Sequence, residues 1–72
     1  MNILDFTVEE VNIINMYKGI TTVITVNRIK EMLSYMNYEM GVIANSAIKK
    51  LKLMTELEFM NTTFTPADDQ GV

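Results

Sequence analysis

The chain has 72 residues, 49% of them hydrophobic, with six Lys plus Arg against nine Asp plus Glu for a net charge of −3, and no cysteine, histidine or tryptophan. That length supports one small domain burying roughly 60% of its unfolded surface, and the inventory excludes disulfides, zinc centres and Ser/His/Asp or Cys/His triads. The acidic balance argues against coating a phosphate backbone. No apolar run approaches the roughly 20 residues that cross a bilayer and no basic segment precedes an apolar one at the start, so the expectation is a cytoplasmic chain without a membrane segment.

The first element is announced by Thr7-Val8-Glu9-Glu10, the T-x-x-E form of a capping box, in which Thr7 accepts from an orphan amide and Glu10 reaches back to the amide of Thr7. Phe6 just outside and Val11 one turn inside are spaced as a hydrophobic staple. Val11, Ile14 and Tyr17 share a face, and Lys18-Gly19 offers a cation for the last carbonyls and a residue suited to a left-handed cap. Helix 1 is predicted from Val8 to Lys18.

Residues 20–26, Ile-Thr-Thr-Val-Ile-Thr-Val, are β-branched enough to make a strand on propensity alone. The pattern beyond them is helical: Val26, Ile29, Leu33 and Met36, with Met32 beside them, advance by threes and fours. A single strand would leave its backbone groups unpaired. Helix 2 is therefore predicted, capped by Thr21 or Thr22 and ending at a joint over Ser34 to Asn37.

Asn37 is the predicted cap of helix 3, Tyr38 to about Leu53, where Met40, Ala44, Ala47, Leu51 and Met54 form the stripe and Ile43 and Ile48 widen it. Thr55-Glu56-Leu57-Glu58 repeats the capping box and opens a short helix 4 from Glu56 to about Asn61, offering Leu57 and Met60 on one side with Phe59 nearby. The last residues have turn formers and no period. The fold class expected is all-α, a compact bundle of three helices plus a short fourth over residues 1–65, with a disordered tail over 66–72.

Several of these pieces occur together in a known family. Residues 5–12 (Asp-Phe-Thr-Val-Glu-Glu-Val-Asn), Tyr17-Lys18-Gly19 with Thr21, Ala44 with Ser46-Ala47, Lys50-Leu51, Phe59 and Phe64-Thr65 resemble the transposon-transfer assisting protein family, small proteins of Firmicute conjugative transposons. The resemblance spans residues 5 to 65 and implies an all-helical fold in a setting of mobile-element transfer. It implies no biochemical activity and supplies no catalytic or binding residues. Residues 34–39 depart from the family's pattern, being less acidic and lacking a proline at that joint.

No constellation predicts an enzyme. Glu9 with Glu10, and Glu56 with Glu58, sit in first turns where capping and the helix dipole already favour carboxylates. Asp68-Asp69 lacks a calcium-loop glycine. No metal, cofactor or catalytic residue is expected. Met32, Met36, Met40 and Met54 fall on core stripes and read as gap-fillers.

Two surfaces are candidates for function. Met16, Ile24, Tyr35, Val42 and Leu53 lie off the stripes at about 100° per residue, and contiguous exposed apolar residues would mark a protein-binding face. Burial of Val42 and Leu53 in a central helix 3 would explain them equally well. Arg28, Lys30, Lys49, Lys50 and Lys52 are the candidate nucleic-acid contacts; as decoration of a helix C-terminus they have a simpler explanation. The favoured expectation is a non-catalytic accessory that docks a protein of the transfer machinery, with weak DNA binding as the alternative. A second copy of so small a domain could also supply missing burial, leaving homodimerisation open.

Overall fold

The computed structural model describes residues 6–64, so the tail expected over 66–72 and the domain boundary at residue 65 lie outside the described residues. The order along the chain is α1 (Val8–Tyr17), α2 (Thr22–Met32), a 3-10 turn (Leu33–Tyr35), α3 (Tyr38–Leu53) and α4 (Glu56–Asn61), with no strand among the described residues. Each of α1, α2 and α3 packs on the other two. The expected all-α bundle of three helices and a short fourth is what forms.

Every helix starts at a side-chain cap. Thr7 Oγ1 accepts the Glu10 amide at 3.1 Å while Glu10 Oε1 accepts the Thr7 amide at 2.8 Å, and Thr55 with Glu58 repeats the arrangement at 3.0 and 2.8 Å. Thr21, not Thr22, caps α2 and accepts from the Ile24 amide, and Asn37 caps α3 through the Met40 amide. Each such bond satisfies an orphan donor of the first turn.

The β-branched stretch is helical from Thr22 onward because its threonine hydroxyls find partners there. Thr25 Oγ1 donates to the Thr21 carbonyl at 2.8 Å and accepts the Gly19 amide at 2.9 Å, which lets a fully buried hydroxyl sit at the α1–α2 corner. The α-helix stops at Met32, earlier than its stripe suggests, and tightens into the 3-10 turn; Leu33 and Met36 still pack against the core from there.

The core joins Val11, Ile13 and Ile14 of α1, Val26 and Ile29 of α2, and Ala44, Ala47, Ile48 and Leu51 of α3. Ala44 and Ala47 are wholly buried, consistent with close approach of neighbouring helices at two small side chains. Phe6, Phe59 and Phe64 close one end, Phe6 against Phe64 edge-on with centroids 5.5 Å apart and Phe59 against Phe64 at 5.8 Å.

Three local expectations are corrected. Gly19 shows no left-handed backbone; it is small because a Cβ there would stand 2.4 Å from Ile24 Cγ2. Lys18 does not serve the end of α1: its ammonium lies over the Phe59 and Phe64 rings at 5.6 and 5.4 Å, and Arg28 from α2 donates to the Lys18 carbonyl at 3.1 Å instead. In α4 the inward residue is Phe59, 1% exposed, while Leu57 and Met60 are 68% and 73% exposed. Six residues make too short a helix for spacing to identify its inner face.

Candidate functional site

Of the four paired carboxylates, Glu10, Glu56 and Glu58 are held in structural bonds. Glu10, besides its capping box, accepts from Ser46 Oγ and from Lys50 Nζ at 2.7 Å, tying the start of α1 to successive turns of α3. Burial pushes its carboxyl up, but the hydrogen bonds from Lys50, Ser46 and the Thr7 amide and the charge of Lys50 outweigh that and hold it below its ordinary value. Glu56 accepts both the amide of Thr22, at 3.0 Å, and the Thr22 hydroxyl, thereby serving the first turn of α2 from α4. Those two bonds from Thr22 lower its carboxyl as well. No group of three or more acidic side chains is gathered among the described residues, and none of their helices is long and apolar enough to cross a membrane.

The five apolar candidates are all solvent-exposed: Met16, Ile24, Tyr35, Val42 and Leu53. Packing of α3 between α1 and α2 leaves Val42 and Leu53 uncovered. Of the five, Val42 lines a groove between α2 and α3.

The five cationic candidates divide. Arg28 is committed to the Lys18 carbonyl and Lys50 to Glu10, with its ammonium also 5.7 Å from the Phe6 ring centroid. Lys30, Lys49 and Lys52 come together at the seam between α2 and α3. Here a groove of about 610 Å³ and an adjoining one of about 260 Å³ share Lys30 and Lys52. Sequence spacing relates Val42 to Lys49 along one helix. It cannot bring Lys30 across to them, since that depends on α2 lying beside α3.

A family model described as transposon-transfer assisting protein matches residues 6–66. No curated protein and no solved structure matches the chain. Among the residues that carry the family resemblance, Glu10, Ser46 and Lys50 form the bonds between α1 and α3, Thr7 closes the capping box with Glu10, and Phe6, Phe59 and Phe64 form the aromatic end. In this chain those residues hold the fold together.

Proposed function

The chain belongs to the transposon-transfer assisting protein family, and from that premise we propose that it is a non-catalytic cytoplasmic accessory of conjugative-element transfer that acts by binding a protein of the transfer machinery. The observation that carries this reading is the outward display of large apolar side chains by a domain that has little core to spare. Tyr38, Ile20 and Tyr35 are each at least 80% exposed, and Leu53, Met60, Leu57, Val23 and Met16 are each above 60%. Single exposed apolar residues are ordinary, but this many on so small a surface is costly for a protein that meets no partner. Glu10, Glu56 and Glu58 are meanwhile engaged as helix caps and interhelical ties.

The test is chemical-shift mapping of the labelled chain against the purified relaxase and the other transfer proteins of its parent element. At least one should perturb a contiguous set of exposed residues at micromolar concentration. Unperturbed spectra with all of them would refute protein docking. DNA binding through Arg28, Lys30, Lys49, Lys50 and Lys52 is the lesser reading, because two of those five cations already have intramolecular partners.

A further inference from the structure

The α2–α3 groove combines two kinds of surface. Val26 floors the smaller groove and Ile48 the larger, each only 5% exposed, and the apolar side chains they leave open to solvent are Val23, 62% exposed, in the first and Val42, 52% exposed, in the second. Lys30, Lys49 and Lys52 complete it, and none of the three makes an ion pair with a described residue. No carboxylate of the described residues lines the groove. Glu10, which accepts from Ser46, is paired with Lys50, whereas Glu56, which accepts from Thr22, keeps its negative charge beside the smaller groove. A chain of net charge −3 thus gathers three lysines along one partly apolar seam. Neighbouring like charges repel, and an incoming negative partner relieves that repulsion.

We propose that this groove docks an acidic amphipathic helix of a partner protein. Apolar side chains at i, i+3 or i+4 and i+7 would cover Val23 and Val42 over the floor of Val26 and Ile48, while flanking carboxylates would meet Lys30, Lys49 and Lys52. The wall from Val42 to Lys52 runs about 15 Å at 1.5 Å per residue, room for roughly three helical turns. A nucleic acid fits less well. The described lining contains no aromatic ring on which a base could stack, and a phosphate backbone would leave Val23 and Val42 uncovered. The proposal rests on the protein-docking reading and gives it a surface and a partner chemistry.

Three probes decide it: a synthetic helical peptide with leucines on one face and glutamates on its flanks, a scrambled peptide of identical composition, and a duplex DNA oligonucleotide. Each is titrated into the methyl-labelled chain. The amphipathic peptide should shift the methyls of Val26, Val42 and Ile48 and bind at least tenfold more tightly than the scrambled one. The double variant K49E/K52E should weaken it at least tenfold with an unchanged far-ultraviolet spectrum. Equal binding of the scrambled peptide, shifts confined to other surfaces, or tighter binding of the DNA would each overturn the proposal. A transfer protein found by shift mapping should be displaced by the amphipathic peptide. A transfer protein that stays bound in its presence would overturn the groove assignment and leave the protein-docking reading standing.

Discussion

Lys50 of α3 donates to Glu10 of α1 over 2.7 Å, joining residues forty positions apart, and the Glu10 side chain is only 4% exposed. A buried carboxylate survives because Lys50, Ser46 and the Thr7 amide all donate to it. Removing the charge while keeping the shape isolates its contribution. Its folded carboxyl titrates below the ordinary value of 4.5, so the associated stability is fully present above that pH and is lost as pH falls through the folded value. The variant E10Q should therefore be less stable at neutral pH, by on the order of 2 kcal/mol, and its stability should fall less steeply below pH 4.5. Urea midpoints across an acid series measure both, and parallel curves for the two proteins would contradict this account.

Thr22 and Glu56 form the second long-range tie. Replacing Glu56 with glutamine weakens the acceptor at the first turn of α2, and T22V removes the hydroxyl donor. Either change should speed hydrogen exchange at the Thr22 amide and through α4, with little effect on the middle of α3. Unchanged exchange at Thr22 in both variants would show that the cap has no bearing on how α4 is held.

The short α4 offers a sharp contrast. Phe59→Ala removes a ring that is 1% exposed and should cost about 3 to 5 kcal/mol, enough to unfold much of so small a domain. Leu57→Ala and Met60→Ala should each remain within about 0.5 kcal/mol of the parent, because neither side chain is buried. Thermal melts of the three variants separate these outcomes.

Two glycines should respond to alanine with opposite signs. At Gly19 a new Cβ would meet Ile24 Cγ2 at 2.4 Å and Ile24 Cβ at 3.0 Å, so G19A should destabilise by about 1 to 3 kcal/mol. At Gly41, inside α3, nothing lies within 4 Å of the new Cβ. G41A should stabilise by roughly 0.5 to 1 kcal/mol through helix propensity and a less entropic unfolded chain. Denaturant midpoints moving in the same direction for both variants would refute one of the two arguments.

What could be read from the sequence was local. Thr7 with Glu10 and Thr55 with Glu58 are three residues apart, so their bonds follow as soon as a helix forms, and the stripes of α1 and α3 repeat often enough to fix an inner face. The second role of Glu10 was not legible, because Ser46 and Lys50 lie 36 and 40 residues away in sequence. Gly19 suggested a backbone role, yet its small size answers to Ile24, a side chain placed by the turn into α2. For the candidate groove, Val42 and Lys49 were visible as neighbours on one helix. That Lys30 joins them, while Arg28 and Lys50 are taken by other partners, depends on how α2 and α3 pack together.

Lys49 and Lys50 are adjacent in the chain yet belong to different environments, one exposed in the groove and the other anchored on Glu10 beside Phe6. To an amine-acylating reagent they would be two kinds of target, the first open to solvent, the second held against Glu10 and the Phe6 ring. Peptide mass mapping after brief acetylation would thus distinguish two faces of one helix, and the mark left at Lys49 would record whether anything was seated there when the reagent arrived.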